Sequence, residues 1–151
     1  MKSEQLLDRI EHEALVHAPI ARTWEFLTMP EYVAKWYAFD GAEIALRPGG
    51  RIAFRWKEHG EFLGQIERVN APSELAFRFV GHSPGETPQT GNSTLVEFTL
   101  EPIGNKTRVA LVESGFLGLD IPNEGDVPKA AISLEGWRGG LAALCSLALR
   151  S

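Results

Sequence analysis

Residues 129–150, KAAISLEGWRGGLAALCSLALR, are the stretch on which the fold turns. Leu134, Trp137, Leu141, Leu144 and Ala148 recur there at spacings of three and four, which puts them on one stripe of a single long helix, Lys129–Arg150. An amphipathic helix owes most of its stability to the surface it packs on. The sequence upstream must therefore supply a broad apolar face.

It does so with segments of period two. In Arg51–Lys57, Ile52, Phe54 and Trp56 oppose Arg51, Arg55 and Lys57. Leu75, Phe77 and Phe79 share a face opposite Arg78, and Thr94, Val96, Phe98 and Leu100 oppose Glu97 and Glu101. Residues 9–17, 42–46, 61–69 and 107–114 complete the set of strands. Arg47-Pro48-Gly49-Gly50, Glu58-His59-Gly60, Asn70-Ala71-Pro72-Ser73 and Gly104-Asn105 are turn signals between them. Consecutive strands with short turns pair as an antiparallel meander. Two short helices follow the first strand. One begins at Pro19 and carries Ile20, Trp24 and Leu27. The other carries Tyr32, Val33, Trp36 and Tyr37 behind a capping box expected over Thr28-Met29-Pro30-Glu31. The fold class is α+β, a curved antiparallel sheet of six or seven strands wrapped around a long C-terminal helix. Residues 1–8 read as a tail and 9–151 as one domain.

The outer face of this sheet carries Arg55, Glu67, Arg78, Glu97 and Arg108, a charge ladder that belongs to a solvated surface. The chain has 151 residues, 44% hydrophobic and 23% charged, with a formal charge of −5 and no basic run. That balance disfavours nucleic acid, whose phosphates demand cations. It equally disfavours an anionic membrane surface. Nothing approaches the ~20 apolar residues of a membrane span or a signal peptide's apolar core, so a cytoplasmic location is the expectation. Cys145 is the single cysteine, and His12, His17, His59 and His82 lack ligand spacing, so neither a metal nor a cofactor is expected.

With the elements in place, a family resemblance emerges. Ala18-Pro19-Ile20-Ala21-Arg22-Thr23-Trp24, then Leu27-Thr28-Met29-Pro30-Glu31, resembles the "APxxxVWxxLTDPE" opening of the START-like (SRPBCC) superfamily. Within it, the branch named after the activator of heat-shock-protein ATPase looks most similar. Trp36 stands where that branch has its second-helix tryptophan. Arg47-Pro48-Gly49-Gly50-Arg51 with Phe54 resembles its "xxGGxxxF" turn. Gly64, Pro72 and Leu75 resemble its "GxVxxVxPPxxLxxxW" stretch, with Phe79 or Val80 in place of the closing tryptophan. Gly115-Phe116 and Gly136-Trp137 with Leu141 and Leu144 resemble its "GF … GWxxxLxxL" ending. The ordered set spans residues 9–149. It implies a helix-grip fold and a choice among hydrophobic-ligand carriers, polyketide aromatases and cyclases, hormone receptors and cochaperone domains. A shared fold does not select among them.

A sheet gripping one helix either leaves an apolar cavity or fills it with large side chains. The candidates for lining or filling it are Trp36, Tyr37, Phe54, Trp56, Phe77, Phe79, Phe98, Leu111, Trp137 and Leu141. Glu113 is the polar residue of interest. Counting in twos from outward Arg108 sends Val109, Leu111 and Glu113 inward, where a carboxyl group would anchor a ligand hydroxyl or act as a general base. The alternative places Glu113 at a frayed strand end, half in water. Cys145 reads as a packed thiol. The loops Gly81–Gly91 and Phe116–Val127 are rich in glycine and proline and are candidate gates. The leading reading is binding of a hydrophobic small molecule. Alternatives are an enzyme of cyclase, dehydratase or hydrolase type using Glu113 or a tyrosine, and a cochaperone-like interaction module. A homodimer is compatible with the sequence but carries no signal in it.

Overall fold

A computed structural model of the chain describes residues 8–121 and 127–151. In chain order, the elements are β1 (Arg9–Val16), α1 (Ile20–Thr28), α2 (Pro30–Trp36), β2 (Ala42–Ile44), β3 (Arg51–Trp56), β4 (Gly60–Asn70), β5 (Glu74–Phe79), β6 (Thr94–Ile103), β7 (Lys106–Ser114) and α3 (Lys129–Arg150). The strands form one sheet in the order β1-β7-β6-β5-β4-β3-β2, antiparallel at every junction. This is the helix-grip α+β architecture expected from the alternation of the strands and the stripe on α3.

The period-two pattern decides the inner face. Thr94, Val96, Phe98 and Leu100 of β6 are buried, as are Thr107, Val109, Leu111 and Glu113 of β7. The outer face carries the predicted charges, each with a partner. Arg55 meets Glu61 at 2.7 Å, Arg78 meets Glu67 at 3.0 Å, Arg108 meets Glu101 at 3.2 Å and Arg68 meets Glu97 at 3.3 Å. Such exposed pairs contribute about 0–1 kcal/mol each, so the ladder sets solubility and register more than stability. At the Arg47–Gly50 turn, a Cβ on Gly50 would overlap the carbonyl oxygen of Ala45, so this position must be glycine.

The expected capping box does not form. Met29 is the N-cap of α2 and makes no side-chain cap bond. Thr28 instead turns its hydroxyl back to the carbonyl of Trp24 at 2.7 Å, within α1. Because α1 and α2 abut at Met29, Thr28 is still the last residue of a helix, where a threonine hydroxyl reaches the preceding turn more readily than the next helix.

α3 buries Trp137, Leu141, Leu144 and Ala148 as its stripe predicts, together with Gly140 and Leu147. It lies against β1 and α2. Gly140 permits the close approach to α2: a Cβ there would come within 3.2 Å of Tyr37 and 3.5 Å of Trp36. Cys145, half-buried, faces β1 with its Sγ 3.5 Å from the carbonyl of Leu15, and burial pushes its thiol pKa up. Both facts fit a packed thiol.

Candidate functional site

The middle of the grip is packed. Trp36, Phe54, Phe77 and Phe98 enclose a void of about 10 Å³ beneath α3, too small to accept more than a water molecule. The reason is geometric. Phe77 stacks near Phe98 at 6.4 Å, Phe54 meets Phe77 edge-on at 6.2 Å, and Phe98 meets Trp137 edge-on at 5.6 Å. The aromatics of adjacent strands interlock across the face and exclude a ligand. Leu111 and Leu141 are fully buried in the same core and line neither space.

Open space lies at one end of the grip, beside the start of α3. A cleft of about 470 Å³ is walled by Tyr37, Trp56, Phe62, Phe79 and Trp137. Gly81, His82 and Pro84 of the loop after β5 form one lip, with His59 of the β3–β4 turn and Ile121 nearby. Lys129, Ile132, Ser133 and Gly136 of α3 form the opposite lip. Of the eleven residues singled out from sequence, Tyr37, Trp56, Phe79, Glu113 and Trp137 are brought together here. Loop Gly81–Gly91 reaches the cleft through Gly81, His82 and Pro84. The second candidate gate falls in part on residues 122–126, outside the described residues.

Tyr37 is held by its neighbours. Its ring stacks on Trp137 at 4.5 Å and 12°, and it meets Trp56 edge-on at 4.9 Å. The indole N–H of Trp56 donates to the Tyr37 carbonyl at 2.7 Å, which locks the start of the wall. Burial, with the nearby Glu113 carboxyl adding to it, holds the Tyr37 hydroxyl well above its ordinary pKa, so it remains a neutral donor.

Glu113 is 1% exposed, which excludes the frayed strand end. Alternation along β7 turns it inward, and its carboxyl forms part of the cleft floor. Trp137 donates its indole N–H to Oε1 at 2.9 Å, and Oε2 is hydrogen-bonded to the hydroxyl of Thr94. Burial raises the carboxyl pKa, and hydrogen bonds from Thr94, Trp137 and Ser133 pull it part of the way back. The network accommodates either protonation state. A protonated Oε2 donates to Thr94, whose own proton then reaches the Phe79 carbonyl at 3.4 Å; an ionised Oε2 accepts from Thr94 instead.

Two polar cleft residues escaped the sequence reading. Ser133 and Lys129 lie four and eight residues before Trp137, on the same face of α3. A polar residue repeating the spacing of the apolar stripe was the available signal. Ser133 Oγ lies 3.1 Å from Nε2 of His82. Burial lowers the His82 pKa, and the charge of Lys129 lowers it further. Among the described residues no group of three or more His, Cys, Asp or Glu is placed to hold a metal ion, and no helix is long and apolar enough to cross a membrane.

Residues 17–147 match the family described as Activator of Hsp90 ATPase homolog 1-like protein. No curated protein sequence matches the chain significantly. Among solved structures, protein MLL2253 from Mesorhizobium loti is similar with a TM-score of 0.76 at 18% identity, covering 95% of this chain and 98% of that one. The HSP90 activator PFC0360w from Plasmodium falciparum gives 0.72 at 14% identity, covering 93% and 95%. The Aha1 dimer from Colwellia psychrerythraea gives 0.69 at 21% identity, covering 90% and 92%. These likenesses concern the fold.

Proposed function

The chain belongs to the family described as Activator of Hsp90 ATPase homolog 1-like protein, and we propose that it binds a small, flat, mostly apolar molecule in the cleft at the end of its helix grip. One observation carries this reading: a cleft of about 470 Å³ walled by aromatic rings, with the buried carboxyl of Glu113 in its floor. Small-molecule sites have volumes of about 300–1,000 Å³ and combine apolar walls with a few polar groups. The walls here come from Tyr37, Trp56, Phe62, Phe79 and Trp137. The polar groups are Glu113, Ser133, His82 and the Tyr37 hydroxyl. They suit a ligand with one or two hydroxyl or carbonyl groups on an aromatic frame. A highly charged ligand would have to give up its hydration for a floor made of a carboxyl group.

The test is a titration with 2-naphthol, a two-ring molecule with one hydroxyl. Trp56 and Trp137 lie in the wall, so saturable quenching of tryptophan fluorescence is expected, together with a raised melting temperature. Neither effect at any concentration up to the probe's solubility would remove the reading. The family description and the neighbouring HSP90 activator support a second one, stimulation of a chaperone ATPase. An Hsp90 turnover rate unchanged by the chain would remove that.

A further inference from the structure

Two of the polar groups in the cleft are placed for chemistry as well as for binding. Ser133 and His82 face each other from opposite lips, with Oγ and Nε2 3.1 Å apart. That is the separation of a nucleophile from the base that takes its proton. The two groups come from different elements, the second turn of α3 and the loop after β5. The His82 ring lies edge-on to Phe116 at 6.3 Å. Lys129 stands one helical turn before Ser133 on the same face, and both lie in the opening turns of α3, toward the positive end of its dipole.

We propose that Ser133 is a nucleophile activated by His82, and that the cleft hydrolyses carboxylic esters of small apolar alcohols or phenols. The inference rests on the cleft admitting such a molecule. In the first step, Ser133 Oγ bonds to the ester carbonyl carbon and its proton passes to His82 Nε2. The carbonyl π electrons move to oxygen, beside Lys129 and the positive end of α3. The oxyanion collapses, the bond to the alkoxy oxygen breaks, and the alcohol leaves with the proton held by His82. Water then attacks the acyl-serine and gives its proton to His82; the bond from the acyl carbon to Oγ breaks, His82 returns the proton to Oγ, and the acid departs with Ser133 restored. The sum is ester and water to acid and alcohol.

Four other ionisable groups line the cleft with this pair: Glu113 from β7, Lys129 from α3, His59 from the β3–β4 turn and Tyr37 after α2. The Glu113 carboxyl is engaged by Trp137 and Thr94 and also accepts from Ser133, so passing the serine proton to His82 requires the Ser133 hydroxyl to turn from the carboxyl to the imidazole. A low-pKa imidazole is neutral, and so able to accept, across the neutral range.

The experiment treats the whole chain with a fluorophosphonate ester and follows intact mass, alongside hydrolysis of para-nitrophenyl butyrate. A single adduct mapping to Ser133, absent in Ser133→Ala and formed at least ~100-fold more slowly in His82→Asn, supports the proposal. So does a labelling rate that rises with pH through a transition below the ordinary histidine range, and that loses this transition in His82→Asn. Circular dichroism and 2-naphthol binding of the variants show whether each is folded with its cleft intact. No adduct in a wild-type chain that still binds 2-naphthol overturns the nucleophile and leaves the binding site standing. No adduct and no 2-naphthol binding overturns both.

Discussion

The indole N–H of Trp137 donates to Oε1 of Glu113 across 2.9 Å, joining the middle of α3 to the inner face of β7. The carboxyl's other oxygen is engaged by Thr94 of β6, so one buried group ties two strands and the gripping helix together. Glu113→Ala leaves the Trp137 N–H and the Thr94 hydroxyl without their partner in a dry site. The expected loss is about 1–3 kcal/mol, plus a contribution from the void left behind. Glu113→Gln keeps the shape of the protonated side chain, accepting from Trp137 and donating to Thr94, and is expected to lose less than about 1 kcal/mol. Urea denaturation of both variants checks the order. Equal losses would mean that the hydrogen bonds do not hold α3 in place.

The same carboxyl makes stability depend on pH. Its folded-state pKa lies above the ordinary value of 4.5, because burial penalises the charged form. Below 4.5 it is protonated in both states. From 4.5 up to its folded value the native state holds more protons than the unfolded one, so stability falls as pH rises through that window. Glu113→Gln should abolish this fall, with a difference no steeper than about 1.4 kcal/mol per pH unit. His82 contributes the opposite slope. Its pKa is lowered from 6.5, so its contribution is complete above 6.5 and is lost as pH falls through its folded value. His82→Asn should flatten that limb alone. Melting temperatures from pH 4 to 8 for the two variants and the wild type separate the slopes.

Gly139 and Gly140 are adjacent in α3 but meet different surroundings. A Cβ on Gly139 meets nothing within 4 Å, whereas one on Gly140 meets the rings of Tyr37 and Trp36. Alanine in a helix interior is favoured over glycine by about 0.8–1 kcal/mol. Gly139→Ala should therefore raise stability by about that amount. At Gly140 the same gain is opposed by displacement of two interlocked rings, Tyr37 stacked on Trp137 and Trp36 bonded to the Phe26 carbonyl at 2.8 Å. Gly140→Ala should be destabilising, and chemical denaturation of the pair reads the difference directly.

The fold was legible in the sequence wherever a period repeated. Alternation placed Glu113 inward and Arg108 outward, and the stripe on α3 named Trp137, Leu141 and Leu144 correctly. The capping box failed because a four-residue motif does not say which of two abutting helices a threonine will serve. The cleft was half legible. Tyr37 and Trp137 were candidates because aromatics must go somewhere, yet Phe77 and Phe98 share their pattern and are packed shut. Whether a face is filled depends on how rings from different strands interlock, which no single strand encodes. The Ser133–His82 pair was out of reach for the same reason: the residues are 51 apart in the chain and meet only when loop and helix close on one another.

Gly136 offers a direct test of whether the cleft is a binding site. It lines the cleft, and a Cβ built on it meets nothing within 4 Å. A Cβ there displaces no packed atom. Gly136→Ala should be neutral or slightly stabilising, by the same helix preference that acts at Gly139. Gly136→Phe should fill much of the cleft between Trp137 and the opposite lip. The expected result is a folded protein with undiminished melting temperature that no longer binds 2-naphthol, while Gly139→Ala binds as the wild type does. Loss of binding without loss of stability distinguishes an occupied site from a general effect on the fold. Retained binding in Gly136→Phe would move the ligand elsewhere on the molecule.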